Sequence, residues 1–224
     1  GVGCGYGHIC GAVRRWYNLE MVYWILKNIF GPVIRLIWTK NIEGLENIPK
    51  SGACIVAANH SSYFDFISLI TVLPRRVYFL AAEKFYKSKF WYPLVAGTGQ
   101  IKVDRQNPDK KEVFEKVFSL LGSGKVLGIF PEGTRSADGK IGKTYTGVAK
   151  FALGARAPVV PVGVTGTFEI MSRHDKRPKF KKNIVIKIGK PLYFEEYYGK
   201  TADEIILRQI TDKIMEEIKK LSNC

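Results

Sequence analysis

The sequence predicts an α/β fold, in which a mixed, mostly parallel β-sheet is flanked by helices and preceded by an N-terminal two-helix amphipathic appendage. The main observation is an alternation along the chain, where short apolar runs of strand length are followed by stretches whose apolar residues recur at helical spacing. Hydrophobic residues make up 46% of the 224 positions, as is typical of a globular chain with a core. Because no repeat and no linker follow residue 41, we expect one α/β domain over 41–224.

The first forty residues differ from the rest in composition. Residues 1–13 are rich in glycine and carry no periodic pattern, so we expect them to be disordered or to derive from a tag. Residues 14–40 are aromatic and basic, and Gly31–Pro32 predicts a break or kink within them. Their apolar run falls short of the ~20 residues of a simple transmembrane span. Aromatic residues beside Arg and Lys instead predict a pair of interfacial helices, and the alternative is a helical hairpin packed on the domain.

The elements of the domain follow from apolar periodicity and from turn residues. Strands are expected within 42–52 and at 53–58, 75–82, 101–105, 125–130, 158–163 and 184–188. The last strand alternates apolar and polar residues, which predicts an edge strand. A final amphipathic helix is expected to begin at a capping box over Thr201–Glu204. Further helices are expected over 66–73, 85–93, 110–121 and 146–155.

The charge balance predicts an anionic partner. The net charge is +15, from 35 basic and 20 acidic residues, and nucleic acid, an acidic membrane surface or a phosphorylated substrate would each fit it. A nucleic-acid-binding module would interleave basic and exposed aromatic residues on one face, whereas here the aromatic residues concentrate in 16–38, which favours a bilayer and no nucleic acid. The four cysteines form no C-x-x-C pair, so we expect free thiols in a reducing compartment and no metal site.

A histidine and an aspartate lie where a predicted buried strand gives way to a helix. His60 and Asp65 belong to the block Asn59–Asp65, and ligands of open α/β sheets gather at such strand ends. If His60 lies in the non-helical turn, its ring reaches the carboxylate of Asp65, which would orient the imidazole and leave its other nitrogen free to take a proton. The alternative is a capping histidine beside an ordinary first-turn aspartate.

Four short blocks together carry a resemblance to a known family. Besides Asn59–Asp65, they are Gly99–Arg105, Phe130–Ser136 and Val160–Gly163. In type, order and spacing they resemble the four motifs of the glycerolipid acyltransferases, and within these the bacterial 1-acyl-sn-glycerol-3-phosphate acyltransferases, the PlsC group. The resemblance covers roughly 41–190. The first and third blocks are specific in combination, and the other two are weak alone.

The resemblance implies a reaction and its partners. A fatty acyl group would pass from a thioester of acyl carrier protein or coenzyme A, the co-substrate, to the 2-hydroxyl of lysophosphatidic acid, with no other cofactor. The enzyme would lie as a peripheral, monotopic protein on the cytoplasmic face of the cell inner membrane, in contact with anionic lipids. Glycerol-3-phosphate or another lysolipid is the alternative acceptor. Enzymes acting on glycerol-3-phosphate typically carry a second Arg after the Ser of the third block, whereas Ala137 follows Ser136 here.

The resemblance also implies catalytic and substrate-binding roles for residues of the four blocks. A hydroxyl needs a positioned base to attack a thioester, so His60 would be the general base and Asp65 would orient it. No G-x-S-x-G motif is present, and Cys54 lies in an apolar strand that would raise its pKa, so direct attack without a covalent intermediate is expected. The remaining candidates would bind the acceptor and its phosphate: Lys102, Arg105, Glu132, Gly133, Thr134 and Arg135.

More specific roles are expected for Glu132, for the fourth block and for two basic parts of the chain. Glu132 would hold Arg135 or bind a glycerol hydroxyl, and Val160–Gly163 would pack the core or line an acyl channel. Relatives carry an Ala-Lys-x-Glu-Leu run where this chain has Ala81–Phe85, so Lys84 would act from a shifted position if it binds phosphate. The basic loop 173–182 would serve the donor or the membrane, and the alternative is an ordinary solvated loop.

Overall fold

The core of the protein is a seven-stranded sheet in the computed structural model, which describes residues 21–89, 91–104, 106–107, 109–199 and 203–223. Its strands are β1 (Thr39–Glu43), β2 (Cys54–Ala58), β3 (Val77–Ala82), β4 (Ile101–Val103), β5 (Val126–Ile129), β6 (Val159–Thr165) and β7 (Ile184–Ile188). The order across the sheet is β1-β7-β6-β2-β5-β3-β4. All neighbours are parallel except β6 and β7, which confirms the mixed, mostly parallel sheet.

Helices connect the strands and cover both faces of the sheet. They are α1 (Met21–Trp38), α2 (Tyr63–Val72), α3 (Glu83–Lys87), α4 (Tyr92–Gly97), α5 (Lys111–Gly122), α6 (Gly147–Ala155), α7 (Thr167–Ile170) and α8 (Glu204–Ser222). The single helix predicted over 85–93 is wrong, because α3 ends at Lys87 and α4 starts with Pro93 in its first turn. Proline fits a first turn but not a helix interior, so the chain begins a new helix there.

The central strand β2 contributes to two hydrophobic cores. All five of its residues are buried, and they alternate between the faces of the sheet. Cys54, Val56 and Ala58 pack on the side covered by α1 and α2, whereas Ile55 and Ala57 pack on the side covered by α5, α6 and α8. Burial on both faces explains why the run 53–58 is continuously apolar, as central parallel strands are.

The position predicted for β7 is wrong. It lies between β1 and β6, and β1 forms the edge of the sheet instead. The alternating pattern of β7 has a different cause, since Ile184, Ile186 and Ile188 are buried on one face while the residues between them are half-exposed. Alternation of apolar and polar residues indicates a strand with one covered face. It does not indicate whether the strand pairs with neighbours on both sides.

The N-cap of the last helix lies two positions after the predicted one. The carboxylate of Asp203 accepts a hydrogen bond from the Ile206 N–H at 2.8 Å, so Asp203 is the N-cap of α8. Thr201, which was predicted to open the box, lies outside the described residues. Aspartate suits this position because its oxygen satisfies one of the free N–H groups of the first turn.

The helix α1 continues through the predicted break. Its backbone forms a π turn over Leu26–Phe30 and returns to α-helix at Gly31–Trp38, with Pro32 in the first turn of that segment. The two predicted helices therefore join at a π turn, a feature that accommodates the missing N–H of proline without separating them. The predicted helical residues before 21 lie outside the described part of the chain.

One side of α1 packs on the domain. Tyr23 is buried, and its hydroxyl accepts a hydrogen bond from the Val77 N–H at 3.2 Å. The Lys27 ammonium donates to the carbonyls of Leu73 and Pro74, at 2.7 and 3.0 Å, where α2 ends. Burial and the neighbouring Arg35 lower the pKa of Lys27. Tyr23 is therefore a core residue, although it belongs to the aromatic residues of 14–40 that were predicted to lie at a membrane interface.

The other side of α1 is apolar and exposed. By length and composition alone, the helix could cross a membrane, and little of it is buried. At its end, Trp38 stacks on Phe180 at 5.6 Å between ring centroids, and its indole N–H donates to the Lys179 carbonyl at 2.9 Å. The basic loop 173–182 thus lies directly beside α1. The large apolar side chains exposed along the helix, called here the apolar helix face, are Met21, Trp24, Ile29, Phe30, Val33 and Leu36.

Candidate active site

Three neighbouring strands bring the predicted site residues to one edge of the sheet. The strands β2, β5 and β6 are parallel neighbours, so their carboxyl ends lie together. His60 follows β2, and the block Phe130–Ser136 follows β5. The side-chain amide of Asn59 joins the ends of β2 and β6. It donates a hydrogen bond to the Val164 carbonyl and accepts one from the Val164 N–H, both at 2.8 Å.

His60 and Asp65 form the predicted pair. Nδ1 of His60 lies 2.9 Å from Oδ2 of Asp65, and the aspartate is fully buried while the histidine is 17% exposed. A carboxylate only accepts, so Nδ1 carries the proton and Nε2 is left as a proton acceptor. The turn before α2 makes this possible, because Ser62 is the N-cap and Asp65 completes a capping box with the Ser62 N–H at 2.7 Å.

The carboxylate of Asp65 has further partners besides His60 and the Ser62 N–H. Oδ2 accepts from the Ser61 N–H at 2.7 Å, and Oδ1 accepts from Oγ1 of Thr167 at 2.5 Å. The Ser61 and Thr167 hydroxyls lie 2.9 Å apart. Thr167 was not among the predicted site residues, since it opens the short helix α7 far along the chain and no motif marks it.

The ring of His60 packs on an aromatic side chain. Phe130 stacks against it with centroids 4.0 Å apart and planes 13° apart, and Phe79 stacks on the far side of Phe130 at 5.3 Å. The backbone of His60 is also held, because its carbonyl accepts from the Ser136 N–H at 2.8 Å. The plane of the imidazole is thus fixed by contacts with the block Phe130–Ser136, which begins 70 residues later in the sequence.

Glu132 binds backbone groups on two sides. Its Oε1 accepts from the His60 N–H at 2.7 Å, and its Oε2 accepts from the Gly142 N–H at 3.1 Å. The residue is 3% exposed, and burial raises the pKa of its carboxyl while the two N–H donors oppose that rise. Both oxygens thus have partners within the chain, and Glu132 links the turn of His60 to the loop at Gly142.

Arg135 presents a guanidinium with unused hydrogen-bonding capacity. Its Cζ lies 3.6 Å from the centroid of the Tyr63 ring, a cation–π contact. Nη1 is buried, and no described residue accepts a hydrogen bond from it. Desolvation lowers the pKa of Arg135, although a guanidinium stays protonated at neutral pH. A buried donor without a partner is costly, so an anionic acceptor at this position would be favourable.

The other residues predicted to bind the acceptor substrate differ from Arg135 in their surroundings. Nζ of Lys102 pairs with Oε1 of Glu83 at 2.9 Å on the outer strand β4, so the structure does not bring it to His60. Gly133 has φ +65°, and a Cβ there would lie 3.3 Å from the Tyr145 ring, which explains the need for glycine. Thr134 is exposed in the same turn. Arg105 lies outside the described residues.

An apolar cavity of about 270 Å³ lies against His60. Ala81 and Ala82, which occupy the run that departs from the relatives, are among its walls, as is Phe85. Lys84 points its ammonium over the Phe85 ring at 5.3 Å. The remaining walls include aromatic and aliphatic side chains from several elements: Phe66, Phe79, Val95, Val103, Ile129 and Phe130.

The described residues offer neither a cluster of metal ligands nor a reactive cysteine. No group of three or more His, Cys, Asp or Glu side chains among them is arranged to hold a metal ion. Cys54 is buried and forms no disulfide with a described residue, and desolvation raises the pKa of its thiol to about 11. Because the thiolate is the nucleophilic form, this cysteine is poorly suited to form an acyl intermediate.

Comparison with known proteins gives consistent results. The chain is 26% identical over 204 residues to a 1-acyl-sn-glycerol-3-phosphate acyltransferase of Bacillus subtilis, covering 90% of this chain and 98% of that protein. It is 28% identical over 208 residues to a chloroplastic 1-acyl-sn-glycerol-3-phosphate acyltransferase of Brassica napus, covering 92% of this chain but 58% of that protein.

A solved structure has the same fold, and a family model identifies the family. The crystal structure of the 1-acyl-sn-glycerophosphate acyltransferase PlsC from Thermotoga maritima has the same fold, with a TM-score of 0.69 and 24% identity over 92% of this chain and 80% of that one. The acyltransferase family model matches residues 40–165, which is more than half of the sequence. The site built on His60 lies within that match, and the chain belongs to the acyltransferase family.

Proposed function

We propose that the protein transfers a fatty acyl group from an acyl thioester to the 2-hydroxyl of lysophosphatidic acid, giving phosphatidic acid. One observation carries the proposal: an Asp65-oriented His60 lies against an apolar cavity, and Arg135 in the neighbouring loop offers a buried N–H that has no acceptor among the described residues. A base, an acyl site and an anion site are the three parts that this reaction requires. The names of the relatives support the same acceptor.

In the proposed mechanism His60 acts as a general base. Its Nε2 takes the proton of the 2-hydroxyl as the oxygen attacks the thioester carbonyl, so that a C–O bond forms. The resulting imidazolium is stabilised by the carboxylate of Asp65. When the C–S bond breaks, the imidazolium returns the proton to the departing sulfur. No covalent acyl-enzyme is needed, which agrees with the raised pKa of Cys54.

The acceptor phosphate would bind beside this pair. Arg135 offers a planar set of donors that matches phosphate oxygens. In the same turn, Gly133 allows close backbone approach and the Thr134 hydroxyl can donate a hydrogen bond. Arg105 remains a proposed ligand from the second block. Lys102 would join them only by leaving Glu83, so we assign it a secondary part.

The acyl chain of the donor would fill the apolar cavity. Its walls are hydrocarbon, and burial of each CH₂ group contributes about 0.8 kcal/mol. The thioester could come from acyl carrier protein or from coenzyme A, both of which are anionic and fit the net charge of +15. No further cofactor enters this proposal.

Acyl transfer to three acceptors tests the function. The acceptors are lysophosphatidic acid, glycerol-3-phosphate and monoacylglycerol, each assayed with acyl-coenzyme A and acyl carrier protein thioesters in mixed detergent micelles. We expect kcat/KM for lysophosphatidic acid to exceed that for either other acceptor by tenfold or more, because it alone combines a phosphate with an acyl chain. A preference for glycerol-3-phosphate would instead assign the alternative acceptor, and no transfer from either donor would exclude the proposed reaction.

We also propose that the apolar helix face lies in a membrane interface, on the cytoplasmic face of the inner membrane. Lipid binding would bury side chains such as Trp24 and Leu36, which water otherwise surrounds. The basic loop 173–182 adjoins the same surface through the Trp38–Phe180 stack, and its lysines and arginines would attract anionic headgroups. This placement brings an enzyme that acts on lysolipids to its substrate.

Replacing Leu36 with glutamate is expected to weaken binding to vesicles about tenfold or more, because one fully buried leucine contributes about 1.5–3 kcal/mol and a charge adds to the cost. Co-sedimentation with vesicles containing phosphatidylglycerol measures the bound fraction. Ile205→Glu is the matched control, since Ile205 is also exposed, at 68% against 71% for Leu36, but lies on α8. Equal losses for the two variants would contradict this orientation.

A further inference from the structure

The two oxygens of the Asp65 carboxylate are held very differently. Oδ2 accepts three hydrogen bonds, from Nδ1 of His60 and from the N–H groups of Ser61 and Ser62. Oδ1 accepts from Oγ1 of Thr167 at 2.5 Å. All of the Oδ2 donors come from the same turn as the aspartate, whereas Thr167 lies at the start of α7, beyond the end of β6. The Thr167 hydroxyl therefore acts together with the three contacts of Oδ2 to fix the rotation of the carboxylate about χ2.

The direction of each hydrogen bond in this network can be assigned. A threonine hydroxyl has one proton, and the carboxylate can only accept, so the proton of Thr167 lies toward Asp65. The Ser61 hydroxyl, 2.9 Å from Oγ1 of Thr167, must then be the donor in that contact. Ser61, Thr167 and Asp65 form a closed network with one arrangement of protons, and all three side chains are buried.

The backbone around Thr167 is shaped to present this hydroxyl. Gly166 has φ +81°, and a Cβ there would overlap the carbonyl oxygen of Asn183, so only glycine fits the turn. Thr167 follows as the first residue of α7, with its side chain fully buried. The turn thus directs Thr167 into the site from a position two residues beyond the segment that the family model matches.

We propose that Thr167 is a positioning residue for acyl transfer, which acts through Asp65 to orient the base. This inference rests on the proposed function of His60 as the general base. With Oδ1 held by Thr167, Oδ2 stays aligned with Nδ1 of His60, and the imidazole keeps the tautomer that leaves Nε2 free. Without that hydroxyl, Oδ1 would be buried with no partner among the described residues, and the alignment of Oδ2 with Nδ1 of His60 would loosen.

Kinetics of two substitutions test the proposal. Thr167→Val keeps the shape of the side chain and removes the hydroxyl, and we expect kcat about tenfold lower with KM for lysophosphatidic acid within twofold of wild type. Thr167→Ser restores the hydroxyl and is expected to restore kcat to within threefold. Thr211→Val is the matched control, because Thr211 is equally buried but donates only to the Leu207 carbonyl of its own helix.

The ¹⁵N resonances of the His60 ring give a second measurement that needs no turnover. Wild type is expected to show the Nδ1–H tautomer alone, and Thr167→Val a mixture of both neutral tautomers, with the His60→Ala spectrum assigning the signals. An unchanged tautomer and an unchanged kcat in Thr167→Val would overturn the inference, as would equal losses of kcat in Thr167→Val and Thr211→Val. If the wild type transfers no acyl group, the proposed function fails, while the tautomer ratio still decides the role of Thr167.

Discussion

His60→Ala is expected to lower kcat for acyl transfer by about 10²–10⁴-fold, the range that a positioned general base contributes. The 2-hydroxyl then has no acceptor for its proton, while the apolar cavity and Arg135 remain to bind the substrates. We therefore expect KM for lysophosphatidic acid to change little. Initial rates of phosphatidic acid formation at saturating thioester measure the effect.

The folded state of the His60→Ala variant must be shown to be intact. His60 is partly exposed and its backbone contacts to Glu132 and Ser136 do not depend on its ring, so the melting temperature should stay close to that of wild type. Added imidazole should restore part of the rate, because it can occupy the space next to Asp65. A variant with undiminished kcat would show that His60 is structural and that another group takes the proton.

Arg135→Ala is expected to raise KM for lysophosphatidic acid by about 10–100-fold, since hydrogen bonds to a charged group contribute about 1.5–3 kcal/mol. The buried Nη1 has no partner among the described residues and would donate to the phosphate. Arg135→Lys should recover only part of this loss, because an ammonium lacks the planar pair of donors. Steady-state kinetics over a range of lysophosphatidic acid concentrations measure KM for each variant.

A neutral acceptor separates phosphate binding from other effects of Arg135. Monoacylglycerol has the hydroxyl and the acyl chain but no phosphate, so the substitution should leave its slow acylation nearly unchanged. If Arg135→Ala slowed acylation of both acceptors to the same extent, the residue would serve the turn or Tyr63 rather than the phosphate. That outcome would move the anion site to Arg105 and Lys102.

Local patterns predicted the elements and the His60–Asp65 pair well, because the residues involved are close in sequence. A strand, a cap and the first turn of a helix lie within Cys54–Asp65, and the capping box itself sets the distance between the two side chains. The turn after β5 was also visible as a motif. Its detailed contacts were not, since the carboxylate of Glu132 binds main-chain N–H groups that no pattern in the sequence identifies.

Features that depend on distant pairing could not be predicted. Whether β7 lies at an edge depends on β1, which is far from it in sequence and pairs with it in parallel. The ion pair between Lys102 and Glu83 depends on the neighbouring positions of β4 and α3. Thr167 reaches Asp65 only because β6 adds to β2, and threonine is too common a residue to draw attention alone.

The hydrogen bonds between the segment that follows β2 and residues at or beyond the end of β6 have a consequence for the time at which the proposed site can form during synthesis. Asn59 meets Val164 across 105 positions of the chain, and Asp65 meets Thr167 across 102. Contacts of such separation cannot form until the intervening segment has been synthesised, and they carry a large loop-closure cost. In a nascent chain that has released only β1 to β5, Asp65 still lacks the hydroxyl of Thr167. With the proposed role of Thr167, full catalytic competence would be acquired only after residue 167 has emerged.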